Sequence, residues 1–214
     1  MPSTLVHVAV AGLVGTALLG AAFDRRAIAV VLAAAALPDL DAFAGPVLPG
    51  AHRALLHTFL FPALLAAIVL WDARRTGSVA RRWWDDRGHR VAWVAVAGVL
   101  LGGILPDLFT NGVNVLYPVH DTFYRVNGEL LLSNQRGLVQ TFVELGKSGV
   151  GTTETVHYST GVDPTPGAES ANVERRFYVV QSGFELLTVL LGFGLVGVRL
   201  WDDDRSGPGA DERR

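Results

Sequence analysis

Cysteine is absent from this 214-residue chain, lysine occurs once, and charged residues are scarce. The lack of cysteine excludes disulfides, cysteine-ligated zinc and thiol catalysis, so any metal must be bound by His, Asp, Glu or backbone oxygen. Only 18% of the residues are charged and 50% are hydrophobic, whereas an ordinary soluble domain carries about 25% charged residues. The formal net charge of −2 gives no basis for nucleic-acid binding. The composition is that of a membrane protein.

Five apolar segments are long enough to enter a bilayer, where a spanning helix needs about 20 residues. They cover residues 4–23, 27–43, 54–71, 91–109 and 183–201. A cleaved signal peptide is the alternative for the first segment, but such a peptide begins with a basic region and no Lys or Arg precedes Arg25. We therefore expect an all-α polytopic membrane protein with about five transmembrane helices and a small, partly β extracytoplasmic segment.

Basic residues divide unequally between alternate connections of these segments. Twelve arginines fall on one side, and six basic residues, most of them in one long loop, fall on the other. Because basic residues collect on the cytoplasmic side, we expect a multi-pass protein of the cytoplasmic (inner) membrane with its N-terminus outside and its C-terminus inside. Residues 74–90, which contain six arginines together with Trp83 and Trp84, predict an interfacial anchor on anionic lipid.

Composition divides the chain into four parts. Residues 1–109 predict a helical membrane core, 110–182 an extracytoplasmic cap, 183–201 the last transmembrane helix, and 202–214 a disordered cytoplasmic tail. Within the cap, Asn127-Gly128 predicts a β-hairpin turn. Residues 138–145 predict a short helix, 152–158 and 175–180 predict further strands, and 161–171 predict a loop.

Ionisable residues recur where the apolar segments end. Pro38-Asp39 and Pro106-Asp107 interrupt the second and fourth segments, and a broken helix is tolerated at membrane depth only where its freed backbone is buried in protein or faces a cavity. Each such ionisable group costs about 2.5–3.5 kcal/mol on insertion scales, so a common ligand, most simply a metal ion, is indicated. The predicted topology places six of them on the outer side: His7, Asp39, Asp41, His52, His57 and Asp107.

Imidazoles mixed with carboxylates suit a divalent metal, zinc first and manganese or iron as alternatives. His120 and Asp121 directly follow the late Pro-Asp element and are additional candidates for the site. The competing hypothesis is that these groups only cap helix ends and form a polar cluster without metal.

Four separated elements carry a family resemblance. They are His7, Pro38-Asp39-Leu40-Asp41, the segment HRALLHT at 52–58, and the segment from PDLFTNGV to LYP at 106–118. In order and approximate spacing they resemble the YdjM-type family of membrane-bound, predicted metal-dependent hydrolases. Two positions depart from its pattern: Leu56 stands where the family has Thr, and Gly103 stands where it has His, which leaves fewer nitrogen ligands.

The resemblance implies a helical metal site loosely similar to that of zinc-dependent phospholipase C and related nucleases, which hydrolyse phosphoesters. It implies that Asp41 is a ligand or a general base, and that Arg53 meets an anionic oxygen unless it only anchors its helix at the headgroups. The implied metal ligands are His7, Asp39, His52, His57 and Asp107.

We therefore expect a membrane-bound metal-dependent hydrolase in contact with the lipid bilayer, acting on phosphoesters of a lipid or lipid-linked substrate. One alternative is a non-catalytic structural or regulatory membrane protein. A transporter built on the two broken helices is a further alternative, which the absence of a repeated second half disfavours.

Overall fold

In a computed structural model, residues 2–142, 149–164 and 174–206 are described, and they form a mostly helical fold with a small two-stranded sheet. The chain divides into two compact units. The loop-rich unit contains Pro38–Leu60 and Ile104–Tyr178, and the helical unit contains Pro2–Leu37, Phe61–Gly103 and Val179–Arg214. In chain order the α-helices are α1 Thr4–Leu18, α2 Arg25–Ala36, α3 Leu60–Arg74, α4 Val79–Trp84, α5 Gly88–Ala97, α6 Leu105–Thr110 and α7 Gly183–Ser206.

Helix α1 is the centre of the helical unit and packs against α2, α5 and α7. Glycines allow the closest approach. A Cβ added to Gly192 of α7 would lie 2.4 Å from the carbonyl oxygen of Ala9, and one added to Gly12 would lie 3.1 Å from Val196. Small residues at helix contacts let backbones approach in this way in membrane proteins.

Among the described residues, three stretches are long and apolar enough to cross a membrane: Arg25–Ala44, Val79–Thr110 and Gly183–Arg205. They correspond to the second, fourth and fifth predicted segments. Helices α1 and α3 have 15 residues each, about 22 Å, and a bilayer core is about 30 Å thick. Helix α3 begins at Leu60, six residues after the predicted start of its segment. Five transmembrane helices therefore remain a prediction.

Both predicted Pro-Asp breaks are present. Helix α2 ends at Ala36, and the chain continues as a tighter 3-10 helix over Pro38–Ala44. A π-helix over Gly98–Ile104 leads into α6, which has Pro106 in its first turn. Proline lacks the backbone N–H and clashes with the preceding turn, so an uninterrupted α-helix cannot continue through either position.

Several helix ends of the helical unit meet at its basic end. Arg90 Nε donates to the carbonyl oxygen of Leu18 at 2.8 Å. Arg25, the first residue of α2, pairs with Asp204 near the end of α7 at 2.5 Å. The end of α1 therefore lies at the start of α5, and the start of α2 lies at the end of α7; the topology and the orientation in the membrane remain predictions.

A two-stranded hairpin is present, but it is not the predicted one, which pairs the residues on either side of Asn127-Gly128. Strand β1, Leu130–Ser133, pairs antiparallel with β2, Gly137–Gln140, so the turn covers residues 134–136 and the prediction of a turn at Asn127-Gly128 is wrong. The Ser133 hydroxyl accepts the backbone N–H groups of Gln135 and Arg136. Gly137 then takes a φ of +67°, which is the geometry of a three-residue hairpin loop.

The rest of the predicted cap also differs. Residues 138–140 form strand rather than the predicted helix, and residues 152–158 form turns and irregular structure. Residues 175–180 do not pair in a sheet with any described residue. Helix α7 continues through Ser206, into the segment predicted to be disordered. Parts of the predicted helix, loop and tail, at 143–148, 165–173 and 207–214, lie outside the described residues.

Candidate metal centre

Three predicted ligands converge in the loop-rich unit. His57 Nε2 lies 3.5 Å from Asp39 Oδ1 and 3.2 Å from Asp107 Oδ2. One ligand atom from each residue lies within 4.8 Å of the other two. His57 and Asp107 are buried, and Asp39 is partly buried. The 3-10 helix after Pro38 and helix α6 after Pro106 carry the two carboxylates.

The donor set fits a divalent metal ion. One imidazole nitrogen and two carboxylate oxygens are ligand types that zinc, manganese and iron accept. Two carboxylates at such close range repel each other, and a cation between them offsets that repulsion. This His/Asp group can therefore hold a metal ion.

Asp41 occupies a different place from the ligands. Its Oδ1 faces His52 Nδ1 at 2.8 Å, and its Oδ2 faces His57 Nδ1 at 2.9 Å. Oδ2 also accepts the backbone N–H groups of Arg53 and Leu56, at 3.1 and 3.3 Å. With Nδ1 donating to a carboxylate, each imidazole presents Nε2 as its ligand atom. Asp41 therefore contacts both imidazoles through their Nδ1 atoms; the ligand or base role that the family resemblance implies for it stays a prediction.

Arg53 is the largest fully buried side chain of the described residues. Its φ of +67° costs about 1–3 kcal/mol for a residue with a side chain. Two backbone hydrogen bonds stabilise this conformation of Arg53. The N–H of Arg53 donates to Asp41, and the carbonyl oxygen of Arg53 accepts the N–H of Asn114 at 2.8 Å. The guanidinium lies 4.6 Å from the Tyr158 ring centroid.

The guanidinium of Arg53 is only partly satisfied. Nη2 donates to Asp107 Oδ1 at 2.6 Å. Its Nε and Nη1 are buried and have no hydrogen-bond acceptor among residues 2–142, 149–164 and 174–206. Buried donors without acceptors are costly. Arg53 therefore offers two N–H donors beside the His/Asp group.

His52 and His7 are the two remaining histidines among the predicted ligands. His52 has 12% of its side chain exposed, and its ring makes an edge contact with the ring of His57 at 5.8 Å between centroids. It does not belong to the converging set of ligand atoms found within the described part of the chain. His7 lies on α1 in the helical unit, where it is fully buried.

His120 and Asp121 lie outside the converging group. His120 pairs with the Tyr124 hydroxyl at 3.0 Å. Asp121 accepts Asn114 Nδ2 at 2.6 Å and the Thr153 hydroxyl at 2.6 Å. Burial raises the pKa of Asp121, but the hydrogen bonds from Thr153 and Asn114 outweigh it and hold the pKa below its ordinary value. Asp121 therefore supports the segment that carries Asn114.

Two residues of the site were not predicted. Asn114 is fully buried and connects Arg53 to Asp121; its position within the late motif was the available signal. Tyr158 donates its hydroxyl to the carbonyl oxygen of Asn111 at 2.8 Å. Burial raises the pKa of Tyr158, although Arg53 acts in the opposite direction. No spacing or motif in the sequence indicates this tyrosine.

Together the helices and the site define a membrane protein with a His/Asp group that can hold a metal ion. The chain belongs to the YdjM inner membrane protein family, whose sequence profile matches residues 1–197. The match confirms the resemblance carried by the four motifs and extends it into α7. Neither a curated protein nor a solved structure gave a match to the chain.

Proposed function

We propose that this protein is a membrane-bound, metal-dependent hydrolase of a phosphoester on a lipid or lipid-linked substrate. The observation that carries the proposal is the convergence of Asp39, His57 and Asp107 next to Arg53, which has two buried donors without acceptors among the described residues. A metal ion polarises a phosphoryl oxygen, and a guanidinium binds phosphate oxygens, so the two groups together suit phosphoester hydrolysis.

In this proposal Asp39, His57 and Asp107 hold the metal. His52 is a further nitrogen ligand through Nε2, because its Nδ1 faces Asp41, and His7 is the remaining one. A metal bound here would supply a water of lowered pKa and polarise the phosphoryl oxygen. Zinc suits this set, and manganese or iron are the alternatives.

The protein's own groups have separate tasks. Asp41 fixes the orientation of His52 and His57, as carboxylates behind metal-binding histidines do. Arg53 donates Nε–H and Nη1–H to the nonbridging oxygens of the phosphoester while Nη2 stays on Asp107. Tyr158 stacks against the guanidinium and keeps its plane fixed.

The positions of the metal ligands along the chain support the proposal that the substrate is a lipid or is linked to one. Asp39 belongs to the candidate span Arg25–Ala44, and Asp107 belongs to Val79–Thr110. Each is close to the end of its span, so a substrate that reaches both carries its phosphoester near the membrane surface. Phospholipids and lipid-linked phosphates have this property, and we place the site on the extracytoplasmic side on the distribution of arginines.

Two observations favour a second function, a structural or regulatory role without catalysis. The buried ion pair between Arg53 and Asp107 and the full hydrogen bonding of Asp41 are consistent with a polar cluster stable by itself. Under this alternative the cluster fixes the fold of the loop-rich unit and turns over no substrate.

The two functions differ in metal content and activity. The protein would be purified in neutral detergent, its metal measured by mass spectrometry, and its hydrolysis of bis(p-nitrophenyl) phosphate and of phosphatidylglycerol in mixed micelles followed. We expect about one or two metal ions per chain and turnover that a chelator abolishes. His57→Ala should lose both.

His157→Ala is the matched control. His157 lies in the same unit with Nδ1 3.8 Å from Asp163, so its loss should leave metal content and turnover at wild-type levels. Absence of bound metal, together with wild-type behaviour of His57→Ala, refutes the hydrolase and favours the structural role.

A further inference from the structure

A cleft of about 350 Å³ opens at the basic end of the helical unit. Helices α2 and α4 form its walls. Arg26 and Val30 come from α2, and Arg82, Trp83 and Trp84 come from α4. Cations and apolar surface therefore meet in one concave site.

The two cations of this cleft are not neutralised within the described chain. Arg26 and Arg82 are both exposed, and neither guanidinium forms an ion pair with a carboxylate in residues 2–142, 149–164 or 174–206. Their neighbour Arg25 is different, because it pairs with Asp204. The cleft therefore carries two positive charges available to an anion.

The remaining lining suits a ligand with an apolar part. Trp83 is 69% exposed and Val30 is 37% exposed. The Trp83 and Trp84 rings lie 5.8 Å apart between centroids, and the buried Nε1–H of Trp84 has no acceptor in the described part of the protein. Tryptophan is enriched where a membrane meets water, because its ring is apolar and its N–H is polar.

The position of the cleft indicates the source of the anion. Arg26 is the second residue of the candidate span Arg25–Ala44, and Arg82 is the fourth residue of Val79–Thr110. Two spans therefore begin at the walls of the cleft, at the level of lipid headgroups. We propose that this cleft binds an anionic phospholipid of the bilayer, with its phosphate between Arg26 and Arg82 and an acyl chain along Val30 and Trp83.

This site is separate from the proposed hydrolase and does not depend on it. Guanidinium groups bind phosphate oxygens in a bidentate manner, and each basic residue near an anionic leaflet strengthens binding about fivefold. Removing both charges should therefore weaken binding of an anionic lipid about 30-fold. Binding of a zwitterionic lipid should change little.

The test measures quenching of tryptophan fluorescence by brominated phosphatidylglycerol, and by brominated phosphatidylcholine, added to the full chain in neutral detergent. Arg26→Gln/Arg82→Gln should lose about 30-fold in apparent affinity for phosphatidylglycerol. Arg74→Gln/Arg75→Gln is the control, because it removes the same charge without touching the cleft and so measures diffuse charge attraction alone; we expect it to lose several-fold less affinity than the cleft variant, because its guanidinium groups do not hold the phosphate. Trp83→Leu should remove much of the quenching.

Equal weakening in the cleft and control variants would overturn the proposal in favour of diffuse charge attraction. An unchanged affinity in the cleft variant would overturn it as well. Competition by inorganic phosphate at equal concentration would identify a soluble anion as the ligand and overturn the lipid assignment. If the double Gln variant does not fold, Arg26→Lys/Arg82→Lys keeps the charge and removes the bidentate geometry, and should still bind phosphatidylglycerol several-fold more weakly than the wild type.

Discussion

Replacing Asp41 by Asn tests the part of the site that is most clearly determined by hydrogen bonds. Asp41 is 2% exposed, and its two oxygens face four donors. Asn keeps the shape and one oxygen but exchanges the other for an NH₂ group. The side-chain amide of the variant has the lower free energy when its oxygen takes the Oδ2 position. That position is where His57 and the N–H groups of Arg53 and Leu56 converge.

In that orientation the new NH₂ group faces His52, which can move its proton to Nε2 and accept at Nδ1. The three bonds at the Oδ2 position survive without the negative charge. A hydrogen bond to a charged group contributes about 1 kcal/mol more than a neutral one, so the variant should lose about 3 kcal/mol of stability. His52 would also present a protonated Nε2, which cannot bind a metal.

The assay combines thermal unfolding with zinc titration of the purified protein in detergent. Loss of a carboxylate behind metal-binding histidines lowers metal affinity about 10–100-fold, and we expect Asp41→Asn to fall in this range while still folding. Asp39→Asn, a change to a proposed ligand, should weaken zinc binding further with a smaller drop in unfolding temperature. Asp163→Asn serves as the control for the chemical change.

Two results would refute this assignment of Asp41. One is wild-type zinc affinity in Asp41→Asn combined with lower stability, which would make its hydrogen bonds purely structural. The other is a loss of zinc binding as large as that of Asp39→Asn with little change in unfolding temperature, which would make Asp41 a ligand.

Three further perturbations test other features. Arg53→Lys should retain metal but lose at least about tenfold in phosphodiesterase turnover, because an ammonium cannot pair with Asp107 and donate two parallel N–H groups to the substrate; unchanged turnover would remove Arg53 from the reaction. The folded-state pKa of Asp121 lies below its ordinary value of 3.8, so its stabilisation is present above about pH 4 and is lost as the pH falls through the folded pKa. The difference in unfolding temperature between the wild type and Asp121→Asn should accordingly shrink from pH 7 to pH 2.5, and a constant difference would contradict it. Gly192→Ala should cost about 1–3 kcal/mol through overpacking, whereas Gly194→Ala, whose Cβ would meet nothing within 4 Å, should leave the unfolding temperature unchanged or slightly raised.

Local chemistry explains which features the sequence could predict. A proline ends or kinks a helix wherever it lies, so the breaks at Pro38 and Pro106 could be located without any knowledge of the fold. The hairpin turn was misplaced because Asn127-Gly128 is only a local preference. The turn forms at residues 134–136 instead, because the Ser133 hydroxyl accepts backbone N–H groups of that turn and Gly137 adopts the left-handed conformation directly after it.

Contacts between distant segments could not be predicted in the same way. One distant grouping could still be predicted. Asp39, His57 and Asp107 all lie at ends of apolar segments, and this shared position indicated that they belong to one group. The function of Asp41 depends on which nitrogen of each imidazole contacts it. The folded position of residues 52–57 against the 3-10 helix determines that contact, and the sequence alone does not show it. Tyr158 reaches Arg53 from about 100 residues further along the chain, and no local pattern records such a contact.

The ion pair between Arg53 and Asp107 has a consequence for biosynthesis. Its partners are 54 residues apart in sequence, and ribosomes add about 5–20 residues per second. Arg53 is therefore made about 3 to 10 seconds before the carboxylate that neutralises it. During that interval the cation lies between the candidate span Arg25–Ala44 and the apolar helix α3 without the carboxylate of Asp107. We expect slow or failed insertion when Asp107 is lost, detectable as faster proteolysis of the nascent Asp107→Asn chain than of the Asp163→Asn chain.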